Sequence, residues 1–391
     1  MLLFDATHTS HTRAQTGIQQ VCRELFAELA AKGTVRPVCH DPYLQAWREL
    51  DSAEKINLAA RDVAGSSRGA KWPLTKRIAG NLRRLVGAKP ELRSAAAVLC
   101  PELFSTKVGA QLPALFATVL GPRVAIFHDA IGLKYPELTP PATVARLPAY
   151  LRELLAFDGV AAVSEDSAAS LRDYWSWLGV GNTPPVQAIP LGRHAPNTAS
   201  ANNPTTSAGA PRVLCVGTIE GRKNHGALLE ACESLWTAGM KFELELIGLA
   251  RPDTAASTLA RMATLQKAGR PLHYHGVVSR TALQAAYARC TFTVYPSLLE
   301  GFGLPVLESI DHGKPCICSS SGALGESASD GGCITLECLD APSIAAAVRH
   351  LLENPAELTA LSVAARARTF RSWGDYAADL TSWMNSLRRR G

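Results

Sequence analysis

The stretch 299–309, "LEGFGLPVLES", holds two glutamates, Glu300 and Glu308, with seven residues between them. Those seven include two glycines and a proline, and most of the rest are apolar. Upstream, "TFTVYPS" (291–297) is a β-branched and aromatic run that reads as a strand. Downstream, Leu304 and Pro305 open a helical pattern that stops at Gly313. Proline fits the first helical turn, where no N–H is needed. Strand, glycine loop and helix in this order place 298–303 at the carboxyl edge of a parallel sheet, where such sheets bind ligands. Gly301 and Gly303 clear side chains from the loop. The amides of Phe302, Gly303 and Leu304 are therefore expected to face an anion at the helix N-terminus.

A carboxylate beside an anion is unfavourable unless it binds something else. An ionised carboxylate is an acceptor, and sugars offer many hydroxyl donors. Two carboxylates flanking an anion site suggest two sugars flanking a diphosphate, which describes a sugar nucleotide.

The surrounding text repeats the same unit. "RVLCVGTI" (212–219), "KFELELIG" (241–248), "PLHYHGV" (271–277) and "KPCICSSS" (314–321) read as strands, with helices predicted over 224–239 and 279–290. The result is a doubly wound α/β domain over 212–370. The first half offers strands at 2–7, 123–129 and 159–165 and a helix from Gly17 to Gly33, implying a second domain of the same type over 1–192. Between them, 193–211 is rich in Pro, Asn, Ser, Thr and Ala and reads as a linker. Neither half carries a G-x-G-x-x-G fingerprint, which argues against a dehydrogenase.

A chain of 391 residues with 47% hydrophobic and 19% charged residues suits two globular domains. No apolar run is long enough to span a membrane, and "MLLFDATHTS" does not read as a secretory leader. The ten cysteines follow no zinc spacing and are expected to be reduced, mostly buried thiols in the cytoplasm. The net charge is +6.

"YPSLLEGFGLPVLES" resembles the E-x7-E motif of the retaining glycosyltransferases of family four, which have the GT-B fold: two Rossmann-like domains facing each other across a cleft. "VGTIEGRKN" (216–224), "FHDAIGLKYPE" (127–137) and "AVSEDSAASL" (162–171) are similar to further segments of that family, in its order. The resemblance implies transfer of a sugar from a nucleotide donor to a glycan or lipid-linked acceptor, with retention of configuration. It puts Glu300 on the hydroxyls of the donor sugar and Glu308 on the nucleotide ribose. It puts Arg222 and Lys223 on the diphosphate, Gly17 in the loop that approaches it, and His128 at the donor sugar as a positioning group. His8 and His11 are further candidates on the acceptor side. The last helix, within 371–391, is expected to cross back onto the first domain. The segment 127–137 is closest to relatives acting on mannose, rhamnose or related sugars, which favours GDP-mannose. The alternative reading is a sugar-nucleotide isomerase on the same architecture.

No Asp-x-Asp triplet occurs. Enzymes that hold a diphosphate through a divalent metal generally need such a cluster, so no metal and no cofactor are expected. Nothing points to nucleic acid as a partner. In 61–93, nine Lys or Arg stand against two acids. Within it, 71–89 reads as an amphipathic helix from Leu74, with Leu74, Ile78, Leu82 and Leu85 on one face. That pattern suits peripheral contact with anionic membrane at the inner face of the cytoplasmic membrane, or an ordinary helix packed on its domain.

Overall fold

A computed structural model describes residues 1–391 except 15, 34, 61–68, 88, 89, 91, 194–208 and 391. The expected linker thus lies mostly outside the described residues. The chain divides into two compact units.

The first unit takes in residues 1–130, 145–193 and 371–391. Its sheet has seven strands: β1 (Leu2–Asp5), β2 (Val35–Asp41), β3 (Ala46–Glu49), β4 (Ala97–Cys100), β5 (Arg123–Phe127), β6 (Gly159–Ala162) and β7 (Val186–Ala188). Their order is β3-β2-β1-β4-β5-β6-β7. All neighbours pair in parallel except the β2–β3 hairpin. Leu3, Phe4, Val98, Leu99, Val124, Ile126 and Val160 are fully buried, the signature of a sheet covered on both faces.

Helix α1 (Gly17–Ala31) buries Val21, Cys22, Leu25 and Leu29, as its spacing predicts. Against it packs the helix Trp373–Ser386. That helix starts at a capping box between Ser372 and Asp375 and buries Trp373, Tyr376, Ala377, Leu380 and Met384. Beyond it, the Arg390 amide donates to Asp158 at 2.6 Å, and Arg123 clasps the same carboxylate through Nε at 2.8 Å and Nη2 at 2.6 Å.

The second unit takes in residues 131–144 and 194–370. The first segment corrects the expected boundary, which assigned all of 1–192 to one domain. Its Leu138 lies against Gly221 so closely that a Cβ built there would stand 3.2 Å from Leu138 Cδ2. The sheet is wholly parallel: β8 (Arg212–Val216), β9 (Glu243–Ile247), β10 (Leu272–Tyr274), β11 (Phe292–Tyr295), β12 (Cys316–Ser319) and β13 (Cys333–Leu336), in the order β10-β9-β8-β11-β12-β13. The chain runs outward from β8 to β10, returns to β11 beside β8, and runs outward again. The strand direction of travel therefore switches between β8 and β11, where doubly wound sheets open a ligand crevice.

Leu380 is 1% exposed in the returning helix. Leu380→Ala is expected to cost about 2–5 kcal/mol of stability in chemical denaturation. A loss below about 1 kcal/mol would mean that the helix contributes little to the first unit.

Candidate active site

The two loops that leave β8 and β11 are held together at the switch point. The Leu298 amide donates to the Arg222 carbonyl at 2.9 Å, and Arg222 Nη1 donates to the Leu299 carbonyl at 3.1 Å. Glu300 sits between the two cations expected on the diphosphate. Its Oε1 lies 2.9 Å from Arg222 Nη1 and 2.5 Å from Lys223 Nζ. Arg222 also reaches Glu220, with Nη2 2.7 Å from Oε1. Lys223, 7% exposed, stands over the Tyr295 ring and donates to its hydroxyl.

The electrostatics follow from this packing. Burial works to raise the Glu300 pKa, but Arg222 and Lys223 outweigh it and bring it down to about 2. Burial pushes the Lys223 ammonium below its usual value, with Glu300 opposing. Burial and the Glu300 charge push the Tyr295 phenol well up. Glu300 is therefore a firm anion between two cations, ready to accept hydrogen bonds.

The helix Leu304–Asp311 begins at Gly303, whose φ of +97° only glycine adopts without strain. A Cβ there would also stand 2.9 Å from Leu324 Cδ2. No side chain caps this helix, so Phe302, Gly303 and Leu304 lead into an open N-terminus. Ser327 Oγ fixes the loop by donating to the Phe302 carbonyl at 2.7 Å. Glu308 lies one turn inside, and its Oε2 accepts from Tyr287 at 3.0 Å. The structure thus brings Arg222, Lys223, Glu300, Phe302, Gly303, Leu304 and Glu308 to one edge of the second unit.

In the first unit, His128 follows β5 and is 6% exposed. Its Nε2 lies 2.7 Å from the Pro101 carbonyl, which can only accept, so Nε2 carries the proton. Burial pushes the ring's pKa down and keeps it neutral. A ring whose pKa is held down by burial is a weak base, which suits positioning better than proton abstraction. Gly17 is the first residue of α1, an N-terminus that also lacks a side-chain cap. His8 is half-buried near Gln19. His11 does not face outward: it pairs with Glu54 at 3.0 Å and stacks on Trp72 with ring centroids 3.6 Å apart. Glu54 also takes both terminal nitrogens of Arg48, at 2.7 and 2.8 Å.

Sequence reasoning missed Glu220, Tyr287, Tyr295 and Glu102. The first three hold the cations or Glu308. Buried Glu102 follows β4 and accepts from the amides of His8 and Thr9 at 2.8 and 2.7 Å. Nothing in the spacing of these residues marks them; only the sheet order does. Among the described residues no group of three or more His, Cys, Asp or Glu is placed to hold a metal ion. All ten cysteines are free thiols, eight of them buried, with Cys333 half-buried and Cys338 exposed.

Two doubly wound units, each on a largely or wholly parallel sheet, are the architecture of the GT-B fold. Residues 199–368, less than half of the chain, match the family model for glycosyl transferases, group 1. The serotype-specific mannosyltransferase WbdA of Escherichia coli is 26% identical over 338 residues, covering 81% of this chain and 38% of WbdA. The chain thus spans less than half the length of that relative. Among solved structures, sucrose-phosphate synthase from Thermosynechococcus elongatus superposes with a TM-score of 0.65 at 19% identity, covering 98% of each chain. WaaG, a glycosyltransferase involved in lipopolysaccharide biosynthesis, superposes with a TM-score of 0.63 at 16% identity, covering 97% of this chain and 99% of WaaG. The isomerase alternative gains no support from these matches.

His225 opens the helix that follows Lys223. It is 2% exposed, and neither ring nitrogen has a hydrogen-bond partner among the described residues. Burial lowers its pKa from 6.5 to about 3. The unfolded chain therefore takes up this proton first as pH falls, and stability should decline between those two values. His225→Leu is expected to reduce the stability lost between about pH 7 and pH 4 by about 1–3 kcal/mol, read from denaturation midpoints. An unchanged loss would show that His225 does not carry the acid sensitivity.

Proposed function

We propose that the chain transfers a sugar, mannose in the first instance, from a nucleoside-diphosphate donor to a glycan or lipid-linked acceptor, with retention of configuration. The observation that carries this reading is Glu300 bridged by Arg222 and Lys223 beside the uncapped helix N-terminus. Donor phosphate oxygens would compete for the two cations and for the amides of Phe302, Gly303 and Leu304. Arg222 and Lys223 would then turn from Glu300 to the diphosphate, leaving the carboxylate to accept hydroxyls of the donor sugar. Glu308, with Oε2 held by Tyr287, would accept from the ribose. The bond from the anomeric carbon to the phosphate oxygen breaks, and a bond to the acceptor oxygen forms on the same face. The acceptor's proton leaves on the departing diphosphate. Arg222, Lys223 and the helix N-terminus supply the charge stabilisation, so the reaction needs no metal. The reading places the chain in the cytoplasm. The mannosyltransferase WbdA among its relatives supports mannose as the sugar, and GDP-mannose is the donor to test first.

Glu300→Gln is expected to lower kcat about a hundredfold or more, the scale of losing one key electrostatic group. Near-normal turnover would remove Glu300 from the catalytic set. In a panel of nucleotide sugars, GDP-mannose should raise the melting temperature of the wild-type chain most. A larger shift with a uridine donor would overturn the choice of base. Tyr287→Phe should raise the donor KM about three- to tenfold and leave kcat within about twofold, because it loosens a binding carboxylate and not a reacting one.

A further inference from the structure

The amphipathic helix α3 (Leu74–Leu85) sits inside out on the first unit. Leu74, Ile78, Leu82 and Leu85 fall within about 80° of the helix circumference at 3.6 residues per turn. They are 66%, 52%, 56% and 85% exposed, and Val86, just past the helix end, is 74% exposed. Opposite this stripe, Gly80 is buried in the helix, so near the hairpin of β2 and β3 that a Cβ there would stand 2.8 Å from Tyr43 Cβ. On the same side, Lys76 donates to Glu54 at 2.6 Å and pairs with Asp51. Ahead of the helix, the Lys71 amide donates to the His11 carbonyl at 2.7 Å, and Trp72 lies against His11. The unit thus grips the helix by its polar side and presents the apolar side to solvent. An ordinary surface helix does the reverse, so the expectation of a helix packed by its apolar face is corrected.

Charge decides what covers the stripe. Residues 71–87 contain five Lys or Arg and no acid. Arg77 and Arg84 border the stripe on one side, Arg83 stands on the far side with Lys76 and Gly80, and Lys71 precedes it; all four are exposed. Two copies of the chain joined through this face would bring two such sets of cations together.

We propose that α3 is a docking helix for an anionic lipid surface, with Leu74, Ile78, Leu82 and Leu85 entering the interface and the arginines meeting the headgroups. The inference stands on the helix and does not depend on the sugar-transfer reading. The test is flotation of the full chain with vesicles of phosphatidylcholine alone and of phosphatidylcholine mixed with phosphatidylglycerol. Binding to the mixed vesicles only, weakening with salt, is the expected result. Ile78→Ser with Leu82→Ser, and separately Arg77→Glu with Arg84→Glu, should each reduce the bound fraction about tenfold or more. Both pairs are exposed, so melting temperatures and nucleotide-sugar stabilisation should stay at wild-type values. No binding to either vesicle, or equal binding by wild type and variants, overturns the proposal. So does a concentration-dependent dimer that the serine variant abolishes without any vesicle binding, which would assign the stripe to a second copy.

Discussion

The site in the second unit depends on one ionic contact: a single carboxylate oxygen of Glu300 between the guanidinium of Arg222 and the ammonium of Lys223. None of the three would be stable alone at that depth, since an unpaired buried charge costs far more than a paired one. Together they hold two loops that lie 77 residues apart in the chain, Arg222 reaching the carbonyl of Leu299. The arrangement is also unfinished in a useful sense. On the proposed reading, the donor's diphosphate would exchange for the protein's own carboxylate at the two cations.

Sheet order makes that contact possible. Because β11 returns to the side of β8, the loops after these two strands are neighbours. A sequential meander of the same six strands would put two strands between them. The topology thus converts two distant motifs into one crevice, the general property of doubly wound sheets at their switch point.

Much of this was legible in the sequence because parallel strands buried on both faces leave compact apolar runs. The strands "RVLCV", "FTVY" and "CICS" could be read to within three residues at each end. The glycines of 299–309 marked the loop, and the E-x7-E spacing marked its chemistry. What escaped lacked such a signal. β2 carries Pro37 within the strand, and β3 is an antiparallel edge strand with one buried residue, Trp47. Tyr295 and Tyr287 looked like core aromatics, and they are buried; their hydroxyl partners depend on loops far away in sequence. The segment 131–144 was misplaced because nothing local says which sheet a short connecting helix will join. For α3, periodicity gave the two faces correctly but could not say which one faces the protein. That was decided by the missing Cβ of Gly80 and by Lys76 finding Glu54.

The returning C-terminal helix bears on the order in which the chain can be made. Residues 371–391 belong to the first unit, yet they are made after all of the second. Until then the face of α1 that meets Trp373–Ser386 is uncovered, and Asp158 lacks the Arg390 amide that completes its hydrogen bonds. The second unit, interrupted in sequence only by its small 131–144 segment, is fully synthesised while the first still waits for its final helix. A nascent chain of this protein therefore carries an incomplete first unit until the second has been made, and residues 371–391 then close it.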